Sequence, residues 1–350
     1  MKKIAIEEHF HTEQFVKYLF SRKEWPRREL TQAGEEQLVR DWWSETSFRL
    51  LNPRGPNKLI DLGEGRLREM DEAGVDVQVL SLSFPGVELF EPGDGCALAT
   101  AVNDELSEAT KRHPDRFAGF ATIAPQAPEA AADELERAVT KLGLKGAMIN
   151  GHIRGQYLDD RKYWVILERA EALGVPLYLH PKMPGPDMIK PYLAYPGLAS
   201  AMLGFAAEAS LHAMRLILAG VFERYPRLKI ILGHLGEALP FWLWRMDSRF
   251  EEEKGDPASA AFYKNFVRTP AQCFRENFYV TTSGMYWEPV LRFVSSVFPS
   301  DRIMFATDYP YESMDVATRF METVRLEGND AEKVAHLNAE QLLGLASPPP

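Results

Sequence analysis

Cysteine is scarce: two in 350 residues, Cys96 and Cys273, far apart in the chain. Neither a disulfide framework nor a thiolate-rich metal site follows, and such a chain suits a reducing cytoplasm. Positive charge is short as well. The formal net charge of −10 argues against a nucleic-acid-binding surface. An anionic substrate would have to meet positive charge placed locally, as a metal ion or a particular arginine. No apolar run is long enough to cross a bilayer, and the chain begins on a strand rather than on a basic head with an apolar segment behind it. The expectation is a soluble, cytoplasmic protein with neither membrane nor nucleic acid as partner. Disorder is excluded: 45% hydrophobic and 26% charged residues, with a mean hydropathy of −0.26, describe an ordinary globular chain.

Also missing is a glycine-rich turn after the first strand, which an open nucleotide-binding sheet usually carries. Glu7-Glu8-His9-Phe10-His11 stands there instead. From Leu59 onward strands and helices alternate. Apolar runs predict strands over 75–82, 116–123, 144–150, 176–180, 228–234, 277–282 and 301–308. Helical spacing predicts helices over 59–73, 97–113, 128–142, 160–173, 199–225 (broken near Gly220), 237–253, 287–297, 316–326 and 331–343. With the first strand this makes about eight near-continuous apolar strands, as expected when helices cover a parallel sheet. The predicted fold is α/β, a distorted (β/α)8 TIM barrel forming a single domain over 1–345. Residues 11–58 form a long insertion, read as a lid or wall, or as a helical excursion for subunit contacts. The proline-rich tail 346–350 is expected to be disordered.

In a parallel barrel the C-terminal strand ends open on one rim, where active sites lie. Along the chain those ends carry Glu7 and His9, then Ser83, Asn150, His180, His234, Thr281 to Ser283, and Asp308. One histidine at a strand end is most often structural; this combination is poorly explained by coincidence. Carboxylates and imidazoles without thiolates suit a borderline-hard divalent ion, Mn²⁺ or Zn²⁺. Lys145 lies at the start of its strand, not the end, so a carbamylated lysine bridging two metals is not expected, and one ion is. Period-two alternation puts Ala5, Glu7, His9 and His11 on one face of the first strand. Its ligands are Glu7 with His9 or His9 with His11, the first pair lying nearer the regular strand.

The residues Glu7-Glu8-His9-Phe10, Leu179-His180-Pro181, Gly233-His234-Leu235-Gly236-Glu237-Ala238-Leu239-Pro240, Trp244-Arg245-Met246-Asp247 and Asp308-Tyr309-Pro310-Tyr311-Glu312 together resemble the amidohydrolase superfamily. The branch is that of metal-dependent, non-oxidative aromatic acid decarboxylases acting on gamma-resorcylate, 2,3-dihydroxybenzoate or 5-carboxyvanillate. The resemblance runs from Lys3 to Leu345. It implies Glu7, His180 and Asp308 as metal ligands, with His9 a fourth; some members carry alanine at that position. It also implies that His234, Glu237 and Arg245 serve the substrate, and that the protein is a homodimer or homotetramer.

Loss of CO₂ from a benzoate would leave an unstable aryl anion. An ionised ortho hydroxyl pushes electrons to the carboxyl-bearing ring carbon, and protonation there lets CO₂ leave as aromaticity returns. The expected roles follow: a metal for the phenolate, Asp308 as ligand and acid, His234 held by Glu237, and Arg245 as carboxylate clamp. Ser83, Phe84, His152 and Tyr311, just past strand ends, are candidate substrate contacts. Blander readings stand beside these. Glu237 could cap its helix, Arg245 could pair at the surface, and His152 could be a hydrogen-bonded wall residue. His113, His212 and His336 read as helix-end or helix-surface residues. The alternative function is a metal-dependent hydrolase of a lactone or amide on the same barrel.

Overall fold

Eight parallel strands enclose a narrow interior in the computed structural model, which describes residues 1–34, 36–42, 48–51 and 58–345. The tail 346–350 and Trp43 of the insertion lie outside the described residues. β1 (Ile4–Phe10) opens the barrel. β5 (Val77–Leu82) pairs with β1 on one side and with β6 (Phe117–Gly119) on the other. β7 (Ala121–Thr122) continues β6 past Phe120 and pairs with β8 (Ala147–Asn150). β9 (Leu177–His180), β10 (Ile230–Leu232), β11 (Phe278–Thr281) and β12 (Ile303–Met304) follow in order. The ring closes where the Ile6 amide donates to Phe305 O at 3.2 Å and the His9 amide donates to Tyr309 O at 2.8 Å.

Ile4, Ile6, Val79, Phe120, Met148, Tyr178, Ile231 and Met304 fill the interior in one buried cluster, and Ala339 and Leu343 of the last helix plug its lower end. A second, larger apolar cluster lies between the strands and the surrounding helices. β1 departs from strict alternation. Its register against β5 shifts between Ala5 and Glu8, a bulge of the kind that re-aims a side chain. Ile4 and Ile6 therefore face inward with Glu7 and His9, while Ala5 packs outside with Phe10. The expectation that Ala5 and Glu7 share a face is corrected by that one extra residue.

The insertion is not mainly helical. The helix Glu13–Ser21 is capped by Thr12, whose hydroxyl accepts from the Phe15 amide at 3.1 Å. An antiparallel sheet follows, β2 (Arg27–Ala33), β3 (Glu36–Trp42) and β4 (Phe48–Leu51). A buried Arg28–Asp41 pair links β2 to β3. The helix faces the mouth: Phe15 packs on His11 and on Phe90, which lies beyond the end of β5. The predicted helix over 59–73 is divided before Gly63, and the long helix over 199–225 breaks at Gly220, with φ +76°.

Candidate metal centre

Glu7, His9, His180 and Asp308 converge from β1, β9 and the segment after β12. One ligand atom from each lies within 4.8 Å of the other three. His9 Nε2 is 3.1 Å from Asp308 Oδ1, His180 Nε2 is 3.7 Å from Glu7 Oε1, and the His9 and His180 rings meet edge to face at 4.7 Å. His11 is not in the group; its Nε2 lies 3.3 Å from Phe84 O. On the first strand the group takes in Glu7 and His9 and leaves out His11.

The residues fit a divalent cation. Tyr178 and Ser283 donate hydroxyl hydrogen bonds to Glu7 Oε2, and Thr281 adds a third at 3.1 Å. Glu7 Oε1 is fully buried and has no hydrogen-bond partner. A carboxylate oxygen is costly to bury in that state unless a cation faces it. Burial also pushes the Glu7 carboxyl up, against the opposing pull of His234. Burial holds His180 well below the usual imidazole range, so it stands neutral, the form in which histidine binds metal.

His234 sits just beyond β10 on an unusual turn. His234, Leu235, Glu237 and Ala238 all have positive φ, from 49° to 65°, with Gly236 at 84° between them. Left-handed backbone costs a non-glycine residue about 1 kcal/mol or more. The turn is held by the Gly236 amide donating to Gly233 O at 2.7 Å and by the His234 amide donating to Ser283 Oγ at 3.2 Å. Gly284 must be small, because a Cβ there would come 3.2 Å from His234 Cδ2. The turn aims His234 Nε2 between Glu7 Oε1 (4.0 Å) and Asp308 Oδ2 (3.9 Å).

Glu237 does not cap the following helix; its Oε1 is 2.7 Å from His234 Nδ1. Burial would lower the His234 pKa, but the Glu237 and Glu7 carboxylates outweigh it and hold the imidazole well above its ordinary value. Asp308 goes the other way. Burial would raise its carboxyl, but hydrogen bonds and charge from His234 and His9 keep it well below the usual range. The charges of the cluster thus favour the protonated form of His234 and the ionised form of Asp308.

The remaining candidates divide. Ser83 Oγ meets the Tyr311 hydroxyl at 2.6 Å, and the Tyr311 ring leans on His9 at 5.5 Å, so both border the cluster. Phe84 is buried beside them and its carbonyl faces His11. His152 is a wall residue: its Nδ1 accepts from the Gly155 amide at 3.0 Å, and its ring packs on Tyr157. Arg245 lies apart from the cluster in this chain. It is exposed and lines an outer groove of about 390 Å³ with Met214, Leu218, Trp242 and Phe250, and none of the four cluster residues borders that groove. Within one chain it clamps nothing at the metal centre. His212 is corrected: it is buried, and its Nε2 accepts from the Leu158 amide at 3.1 Å.

A second group of buried charged residues, unforeseen from the sequence, lies behind β8 and β9, without a direct ion pair: Lys182 Nζ, Glu88 Oε2 and Glu208 Oε1 have no hydrogen-bond partner. Lys182, Glu88 and Glu208 are all buried, and Gly151 at φ +62° leaves room for the lysine stem, which a Cβ would meet at 2.6 Å. The Asn150 amide donates to Glu88 Oε1 at 2.6 Å, and the Tyr157 hydroxyl donates to Glu208 Oε2 at 2.9 Å. Burial lowers Lys182 to about 8 and raises Glu208 to about 7, each against the other's charge. Tyr178 and Thr281 were also missed as partners of Glu7. Tyr178 stands two residues before His180, so the period of a strand places it on the same inward face.

The sequence profile of the amidohydrolase family matches residues 58–345, and the chain belongs to that family. Its relatives narrow the class. Gamma-resorcylate decarboxylase of Polaromonas sp. (strain JS666) is 36% identical over 350 residues, covering 98% of each chain. The crystal structure of 5-carboxyvanillate decarboxylase from Sphingomonas paucimobilis superposes with a TM-score of 0.88 at 34% identity, covering 99% of both chains. A dihydroxybenzoic acid decarboxylase from Polaromonas sp. JS666, solved with bound manganese and the inhibitor 2-nitroresorcinol, gives 0.84 at 35% identity, over 98% of this chain and 97% of that one.

Proposed function

We propose that the protein is a carboxy-lyase: a metal-dependent, non-oxidative decarboxylase of an ortho-hydroxybenzoate. The observation that carries this reading is the Glu7–His9–His180–Asp308 cluster facing a protonated His234 at the barrel mouth. These four residues would hold one Mn²⁺ or Zn²⁺, which acts as a Lewis acid toward the ortho oxygen. Asp308, ionised at rest, takes the phenolic proton and returns it to the ring carbon that bears the carboxylate. The carbon–carbon bond then breaks, its electron pair stays with the ring, and CO₂ leaves. His234, kept charged by Glu237, neutralises the substrate carboxylate. Ser83, Phe84 and Tyr311 wall the ring.

Residues 1–345 are read as one domain with 11–58 inserted over the mouth, in a cytoplasmic protein without nucleic-acid or membrane partners. A homodimer or homotetramer is proposed as well. It is supported by Phe241, Trp242 and Trp244, three large apolar side chains exposed on one helix, Trp244 being 80% exposed, since clustered exposed apolar side chains mark interaction surfaces.

The test is CO₂ release and ultraviolet change on 2,6-dihydroxybenzoate, 2,3-dihydroxybenzoate, salicylate and 5-carboxyvanillate, with and without Mn²⁺ or Zn²⁺, and with Asp308→Asn as blank. Turnover that requires both metal and Asp308 is expected. Silence across the panel from protein holding one equivalent of metal would overturn the decarboxylase in favour of the hydrolase.

A further inference from the structure

Behind the two segments that carry His9 and Asp308 runs a buried polar belt that the proposed reaction does not use. Arg66, on the helix Glu64–Ala73, has no exposed surface. Its Nη2 donates to His9 O at 2.7 Å and to Lys58 O at 3.1 Å, its Nε to Asp61 O at 2.8 Å, and its Nη1 to Gln78 Oε1 at 3.2 Å. The guanidinium lies over the Tyr309 ring, 4.7 Å from its centre. Gln78 passes the chain on, its Nε2 donating to Glu8 Oε2 at 3.1 Å. Glu8 in turn accepts from the Thr307 amide at 2.8 Å and the Thr307 hydroxyl at 2.5 Å.

The belt thus grips the residues that flank the ligands. Glu8 lies between Glu7 and His9, and Thr307 and Tyr309 flank Asp308. Asp308 itself has φ +53°, a backbone state that an aspartate keeps only when its surroundings impose it. The His9 amide is tied to Tyr309 O and the His9 carbonyl to Arg66, so both polar groups of that ligand's main chain are held. On the lumen side the two ligands face each other across 3.1 Å. A planar guanidinium meets several carbonyls and stacks on a ring at once; an ammonium does neither in that geometry.

We propose that Arg66 is the positioning residue of the metal centre, setting the spacing between His9 and Asp308 and thereby the affinity for the divalent ion. The proposal rests on the metal-centre reading above and deepens it. Groups that orient metal ligands without touching the ion typically change affinity 10- to 100-fold when removed.

The experiment is calorimetric titration of Mn²⁺ into metal-stripped protein for the wild type, Arg66→Met and Arg66→Lys. Circular dichroism and thermal unfolding of the metal-free proteins run alongside, with kcat and KM taken at saturating metal. The expected result is a dissociation constant about 10- to 100-fold weaker in Arg66→Met and intermediate in Arg66→Lys, with substrate KM little changed. A folded Arg66→Met that binds Mn²⁺ as tightly as the wild type overturns the proposal. If Arg66→Met does not fold, Gln78→Leu, which cuts the link from Arg66 to Glu8, decides by the same titration: weaker binding supports the proposal and unchanged binding overturns it. A wild type that binds no Mn²⁺ would instead defeat the metal-centre reading.

Discussion

The metal centre and the Lys182 cluster are both buried beside barrel strand ends, and each holds two carboxylates, yet they balance charge differently. Glu88 and Glu208 have an ammonium of their own, buried with them. Glu7 and Asp308 have only imidazoles, of which His180 stays neutral and His234 carries a proton. Buried anions need compensation from somewhere. The first pair feels that ammonium through charge rather than contact, since Lys182 Nζ, Glu88 Oε2 and Glu208 Oε1 are buried without a hydrogen-bond partner, whereas the second pair looks to a cation from outside. The cluster behind the rim and the one on it therefore differ in where their counter-charge comes from.

The sharpest way to break this contrast is His180→Ala. If the open cluster needs its ion, turnover should fall by about 10³-fold or more, equal to roughly 4 kcal/mol of lost transition-state stabilisation. Metal content by mass spectrometry should fall with it, while unfolding of the metal-free protein stays near wild type.

Lys182→Met should act the opposite way. It removes the buried charge facing two carboxylates and should cost about 1–3 kcal/mol in urea unfolding, with one equivalent of metal still bound by the folded fraction. Adding Glu88→Gln and Glu208→Gln should recover most of that loss; no recovery would mean that the lysine stem, not its charge, matters.

Mn²⁺ at 100 times its dissociation constant should stabilise the wild type by about 2.7 kcal/mol. The same addition should leave His180→Ala unmoved in a thermal melt.

The most gradual effect concerns pH. Burial, followed by Arg215 and Lys182, depresses His212 to about 3, and its Nε2 must stay unprotonated to accept from Leu158. The unfolded chain binds more protons than the folded one between about 3 and the ordinary histidine value near 6.5. This contribution is therefore full above 6.5 and fades as pH falls, by at most about 1.4 kcal/mol per unit. Glu208, raised to about 7, works in the reverse sense between about 4.5 and 7, so the comparison that isolates the histidine is with His212→Gln. That variant should show a flatter loss of stability on acidification, measured by urea unfolding at a series of pH values.

The rim was readable from the chain because barrel strands are short apolar runs and their polar ends are conspicuous. Glu7, His180 and Asp308 stand out for that reason, and so does the break at Gly220. The bulge in β1 was not readable, since one extra residue leaves no mark in a run that is buried on both faces. Nor were β2 and β3. Arg27-Arg28-Glu29 and Arg40-Asp41-Trp42 look like a solvated stretch until Arg28 finds Asp41 across the turn. The helix Pro270–Asn277 does carry a mark in the sequence, the capping box of Thr269 and Gln272. Arg245 rests on motif alone, and no contact within one chain brings it to the rim.

The bulge has a bearing on heredity and on design. Because Ile6 and Glu7 are neighbours in sequence yet both face inward, the lower half of the strand and its ligand-bearing tip are out of phase by one residue. An in-frame deletion of a single codon at that point would rotate the tip without altering any ligand's identity. A transplanted copy of this strand is usable only if its length is copied along with its letters.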